Sequence, residues 1–213
     1  MTEYSAASSA ERAYLHTKRL IIRGDLVGGQ LLSEGQIGEA LGISRTPVHE
    51  AFLRLAAEQF LVLSSRKGAV VTPMSPREVQ DLIEMREAIE GAAVARIVRD
   101  GGLDLETLAE LRATLERQRA AVNADNSDAF IEADDEFHSD IVEASHNPLA
   151  LHLLGQLRDR QQRMRNQLLR LRSGQLQPAF DDHVALLNLL ESRDADGFVA
   201  ALASHLQRHQ GIL

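Results

Sequence analysis

Cysteine is absent from the 213 residues. Disulfides, thiolate zinc sites, iron–sulfur clusters and cysteine nucleophiles are thereby excluded. Any transition metal has to be held by histidine and carboxylates. Tryptophan is missing as well, and aromatic residues make up only 4%. Alanine, leucine, glutamate and arginine dominate, which favours helix. No run of about 18 apolar residues occurs, so neither a transmembrane helix nor a membrane partner is expected. The opening MTEYSAASSAER has no basic flank followed by an apolar stretch, so no secretory signal is expected. With the missing cysteines, this makes a cytoplasmic location the expectation.

Positive charge is also short: 23 Lys and Arg stand against 31 Asp and Glu, for a net −8. Taken whole, that argues against a nucleic-acid binder. Its distribution argues the other way. Residues 1–73 hold 8 basic and 7 acidic side chains, net +1, so the remainder holds 15 and 24, net −9. The two parts are electrostatically different objects. The sequence divides into a domain over 1–73 and a second over 74–213.

In the first part, Tyr14, Leu15, Leu20, Ile21 and Ile22 recur at helical spacing between Ser9 and Arg23. Gly24, Gly28 and Gly29 break the pattern. Ser33 begins a short helix, with its hydroxyl expected to cap the free amides and Gln36 to reach back. Gly42 ends that helix, and Ser44 caps a third with Pro47 in its first turn. Two short strands, 60–63 and 69–71, flank Ser64-Ser65-Arg66-Lys67-Gly68 as a hairpin. Two short helices, a tight turn and a basic hairpin make a winged helix-turn-helix. The N-terminal turn of the second helix, Ser44-Arg45-Thr46-Pro47, would enter a major groove. The hairpin tip Arg66-Lys67-Gly68 would reach the neighbouring minor groove.

Several segments resemble the signature of GntR-type bacterial transcriptional regulators. They are Leu32-Ser33-Glu34, Ala40 through Val48 with its Ser-Arg-Thr-Pro-Val core, Glu50-Ala51, Leu53-Arg54-Leu55 and Glu58. The resemblance implies a DNA-binding homodimer that reads a short inverted repeat in double-stranded DNA. It makes Arg45 a base- or phosphate-reading arginine, Thr46 a phosphate contact and Gly68 the wing glycine. His49 and Gln36 stand where the family commonly has arginine, so the preferred operator is expected to differ. A neutral histidine cannot make the bidentate arginine–guanine contact. The full DNA-contacting set expected is Arg45, Thr46, His49, Gln36, Arg54, Arg66, Lys67 and Gly68. Gln59 replaces a helix-ending glycine.

After Pro73 the pattern is helical throughout. Helices are expected near 75–99, 104–123, 127–145, 147–173, 178–192 and 195–210, opened by the cap Ser75-Pro76-Arg77-Glu78. Asp134 and His138 are four residues apart and share a helix face. His183 and His205 lie among leucines on two later helices. Three helices could bring three imidazoles and one carboxylate together inside a bundle. A solvated Asp–His pair and hydrogen-bonded core histidines would have the same spacing. His146, beside Asn147-Pro148, reads as a turn residue.

Asp134-Asp135-Glu136-Phe137-His138, Asn147-Pro148-Leu149 and Asp182-His183 with a late helical His205 resemble the FCD-type effector domain of the FadR subfamily. The resemblance implies an all-α antiparallel helical bundle, so the chain as a whole is expected to be mainly α. It also implies a divalent metal at Asp134, His138, His183 and His205, and a small carboxylate effector. Arg86 matches a recurrent family arginine that would hold the carboxylate. Arg163 and Arg165 are weaker candidates for the same role and read first as an exposed basic helix face. Three nitrogens and one oxygen suit zinc first, with nickel or manganese next. Two functions follow: a ligand-responsive transcription factor, by expectation a repressor and not an enzyme, or a metal-dependent enzyme on a small carboxylate or ester with a DNA-binding-like head. A metal-free structural histidine cluster is the third reading.

Overall fold

The computed structural model describes residues 8–64, 68–171, 174 and 176–207. The chain divides into two compact units, Met1–Met74 and Ser75–Leu213. Arg66 and Lys67, expected at the wing tip, lie outside the described residues.

The first unit contains helices α1 (Ser9–Arg23), α2 (Glu34–Leu41) and α3 (Arg45–Ala57) and a three-stranded antiparallel sheet. Its strands are β1 (Leu31–Leu32), β2 (Leu61–Ser64) and β3 (Gly68–Val71), in the order β1-β3-β2. β1 carries no alternation in sequence, being two residues long; it exists because β3 offers it an edge. Gly68 has φ +100°, and a Cβ there would collide with the Leu32 carbonyl, so glycine is required for β1 to pair. Ile21, Val48, Phe52, Leu55, Phe60 and Val71 form the core. Gly42 closes α2 in the left-handed conformation, and Ile43 N donates to Gly38 O at 2.9 Å. A Cβ at Gly38 would meet the Ile43 carbonyl at 2.8 Å, so the turn between α2 and α3 depends on that glycine too.

The expected hydroxyl caps of α2 and α3 do not form. Ser33 and Ser44 hold the N-cap positions in extended conformation, but neither side chain accepts a helix amide. Nor does Gln36 reach back; it is exposed. The first-turn amides at these two helix starts are thus left to other acceptors.

The second unit is helical among its described residues: α4 (Pro76–Arg99), α5 (Leu105–Asn123), α6 (Ser127–Ala144), α7 (Pro148–Leu171), α8 (Leu176–Glu191) and α9 (Ala195–Gln207). Ser75 Oγ accepts from Glu78 N at 3.1 Å and Pro76 opens α4, whereas the Glu78 carboxylate faces Arg160 of α7. His146 takes φ 50° after α6, and Asn147 Oδ1 accepts from Ala150 N to start α7. α4 packs on α6, α7 and α9; α5 packs on α6 and α8. These contacts put the inner faces of α6, α8 and α9 around one polar centre.

Candidate metal centre and nucleic-acid interface

Asp134 and His138 project from α6, His183 from α8 and His205 from α9. All four are buried, and one ligand atom from each lies within 4.8 Å of the others. Each imidazole is held from behind through Nδ1. His138 Nδ1 is 2.7 Å from Glu90 Oε2, His183 Nδ1 is 2.7 Å from Gln118 Oε1, and His205 Nδ1 is 3.1 Å from Asp182 Oδ2. A carboxylate only accepts, so Glu90 and Asp182 fix the proton on Nδ1. Gln118 does the same, because its amide donates to Ala133 O and so presents its carbonyl oxygen to His183. Held this way, a neutral ring carries its lone pair on Nε2 and aims it inward. His183 Nε2 and His205 Nε2 face one another at 3.3 Å, Asp134 Oδ1 is 3.4 Å from His183 Nε2, and His138 Nε2 is buried with no hydrogen-bond partner.

Tetrahedral ligands about 2.1 Å from a metal sit about 3.4 Å apart. Two of the inward pairs, His183–His205 at 3.3 Å and His183–Asp134 at 3.4 Å, match that spacing, and all four atoms lie within 4.8 Å of one another. Their outer hydrogen bonds are those that orient metal-binding imidazoles. The donor set therefore fits a divalent transition ion.

Two buried guanidinium groups flank this centre. Arg86 Nε donates to Glu90 Oε1 at 2.8 Å, while its Nη1 and Nη2 are buried without hydrogen-bond partners. Arg86 and His138 together hold the Glu90 carboxyl down at about 2, against the opposing effect of its complete burial. Arg165 lies 2.7 Å from Asp134 Oδ2 through Nε and pairs through Nη1 with Asp135, which also takes Gln162 and Arg158. The positive charge of Arg165 keeps Asp135 below the ordinary carboxylate range despite burial. Three buried carboxylates, Glu90, Asp134 and Asp135, thus meet two buried guanidinia.

Arg163 and Arg165 are not an exposed basic face: each is only 3% accessible. For Arg165 the acidic partners Asp134 and Asp135 make burial tolerable, and Arg163 has the charge of Glu78 nearby. Sequence reasoning also missed Glu90, Gln118 and Asp182. A signal for two of them is present. Arg86 and Glu90 interrupt the apolar stripe Ile83, Ala93, Ile97 of α4, and Gln118 interrupts Leu111, Leu115, Ala121 of α5. Asp135 and Glu136, the carboxylates that follow Asp134 in the motif, are engaged by Arg165 and by Arg117 respectively.

In the first unit, Gln36, Arg45, Thr46 and His49 are exposed on α2 and the start of α3. The Arg45 guanidinium lies over Gly35, where an added Cβ would sit 3.4 Å from Nη2. His49 Nδ1 is 2.7 Å from Glu34 Oε1. Arg54 turns back onto α1, where it pairs with Glu11 and stacks 3.8 Å over the Tyr14 ring. Tyr14 and Lys18 in turn hold Glu58, with the Tyr14 hydroxyl donating at 2.8 Å and Lys18 Nζ at 2.7 Å.

A winged helix-turn-helix with its recognition helix open, in a chain whose second unit is helical among its described residues, fits a DNA-binding transcriptional regulator. Comparison with known proteins gives the family. Residues 9–71 match the bacterial regulatory proteins of the gntR family, and residues 81–208 match the FCD domain. The HTH-type transcriptional repressor RspR of Escherichia coli strain K12 is 29% identical over 201 residues, 92% of this chain and 85% of RspR. An uncharacterised HTH-type transcriptional regulator of Agrobacterium vitis, from the TAR-I ttuE-ttuC' intergenic region, is 34% identical over 140 residues, 65% of this chain and 81% of its own. The solved structure of E. coli McbR/YncC superposes with a TM-score of 0.74 at 26% identity, covering 95% of each chain. The chain belongs to the gntR family of regulators that carry an FCD domain. These relatives are transcriptional regulators and not enzymes, which removes the metalloenzyme reading. No helix among the described residues is long and apolar enough to cross a membrane.

Proposed function

We propose that this regulator is a cytoplasmic repressor, homodimeric on an inverted-repeat operator, that responds to a small carboxylate bound beside a divalent metal. Asp134, His138, His183 and His205 hold the metal, with zinc preferred and nickel or manganese as alternatives. The observation that carries the reading is the inward convergence of three Nε2 lone pairs, two of them 3.3 Å apart, with every Nδ1 already engaged. Neutral acceptors in that arrangement repel one another unless a cation lies between them. A dication there supplies positive charge to an anionic oxygen. Arg86 receives the carboxylate, because its two buried terminal amino groups otherwise stay unsatisfied at substantial cost.

The effector changes transcription only by binding the free and DNA-bound forms with unequal affinity. On the head, Arg45, Thr46, Gln36 and His49 meet the DNA, with Arg66, Lys67 and Gly68 contributing from the wing. Arg54 braces α3 on α1 behind them.

The test is elemental analysis of tag-free protein, followed by DNA mobility shift against a panel of small mono- and dicarboxylates. About one metal per chain is expected, lost in His183→Ala with basal DNA binding retained. Arg86→Met should keep the metal and lose the carboxylate response. Wild-type protein that binds no metal after incubation with zinc, nickel or manganese would overturn the reading.

A further inference from the structure

The recognition helix presents an unusual pair. His49 lies one turn beyond Arg45, so the two share a face of α3. Its side chain is about half exposed, and it is not packed into the core: Val48, Ala51, Phe52 and Leu55 fill that role. Instead, His49 Nδ1 approaches Glu34 Oε1, in the first turn of α2, at 2.7 Å. The carboxylate accepts the Nδ1 proton. In the neutral ring the lone pair then sits on Nε2, directed away from Glu34. The second Glu34 oxygen is a further acceptor. A helix-turn-helix head thus carries, on its recognition face, a cluster of acceptors beside the donor Arg45.

Major-groove edges differ in what they offer. Guanine presents two acceptors, N7 and O6; adenine N6 and cytosine N4 present amino donors. An acceptor cluster is repelled by the first and bonded by the second. A free neutral histidine would choose between tautomers to suit either edge; with Nδ1 held by Glu34, the neutral ring keeps its acceptor on Nε2.

We propose that Glu34 and His49 act as one specificity unit, which reads the exocyclic amino group of adenine or cytosine at one base pair of each operator half-site. The unit works through the recognition helix alone and does not depend on the metal and effector reading.

The experiment uses the full chain. Operators are first selected from a randomised duplex pool with wild type, His49→Ala and His49→Arg, to find the base pair whose identity depends on residue 49. At that pair the amino group is then deleted, with purine in place of adenine or 2-pyrimidinone in place of cytosine. In parallel, 7-deazapurine removes the purine N7 acceptor. Amino deletion should weaken wild-type binding by about 10-fold, the scale of one base contact. It should leave His49→Ala unchanged, while N7 deletion leaves wild type unchanged. Glu34→Ala should shrink the amino-group penalty, because the tautomer is released. Unfolding midpoints of the three variants check that the head stays folded. The proposal is overturned if no base pair depends on residue 49, if amino deletion costs wild type nothing, or if N7 deletion costs as much as amino deletion.

Discussion

The head keeps its functional polar groups outside, and the helical unit keeps them inside. Among the described residues of the head, Thr17 is the buried polar side chain; Gln36, Arg45, Thr46 and His49 all face solvent. In the bundle, Arg86, Glu90, Gln118, Asp134, Asp135, His138, Arg165, His183 and His205 are all buried. On the proposed function, the difference follows from what each binds. A duplex is met on an open surface whose charge it neutralises. A small ion gains most where water is excluded and its ligands are held in place beforehand. The same substitution chemistry should therefore act on binding in one unit and on folding in the other.

The contrast is tested hardest at Glu90. Glu90→Leu leaves Arg86 buried without its carboxylate and frees the back of His138. Removing one partner of a buried pair costs about 3–5 kcal/mol, read as a lowered denaturation midpoint of the bundle. A loss comparable to that of a surface pair would mean that the pair is solvated. Next in size is metal removal. A chelator should lower the unfolding midpoint of metal-loaded protein by an amount that grows with prior metal concentration, about 3–4 kcal/mol when loading exceeded the dissociation constant 100- to 1,000-fold. It should leave the His183→Ala midpoint unmoved.

Arg45→Ala is the opposite experiment, on a surface group. Operator affinity should fall by about 1–3 kcal/mol while the unfolding midpoint holds. Unchanged operator binding would remove α3 from the role of recognition helix. The smallest effect is a gain. Gln59 closes α3 at φ 66°, a conformation that suits glycine. Gln59→Gly should stabilise the head by about 1 kcal/mol or less, measured by denaturant titration.

Much of this was legible in sequence, for reasons that differ between the units. Ser75-Pro76, Gly42 and the Asn147-Pro148 turn are local devices, readable because cap and turn chemistry acts over a few residues. The ends of α4, α5 and α6 fell within a residue or two of expectation for that reason. Asp134 and His138 share a face by periodicity alone, but bringing His183 and His205 to them depended on family resemblance. β1 was not legible, since two leucines become a strand only when β3 lies beside them. The hydroxyl caps of Ser33 and Ser44 were expected from residue type and do not form. Arg165 was misread because its acidic partners lie 30 and 31 positions away, on another helix. Long-range pairing of that kind leaves no periodic trace.

The ring of outer partners has a further consequence for how the bundle behaves as a mechanical object. Glu90 comes from α4, Gln118 from α5, Asp134 and His138 from α6, Arg165 from α7, Asp182 and His183 from α8, and His205 from α9. Six helices therefore meet at one keystone through rigid, directional contacts rather than through oily packing that can slide. Moving any one of these groups disturbs a hydrogen bond or ion pair to a neighbouring helix. A ligand at the centre would therefore act on groups supplied by all six helices at once.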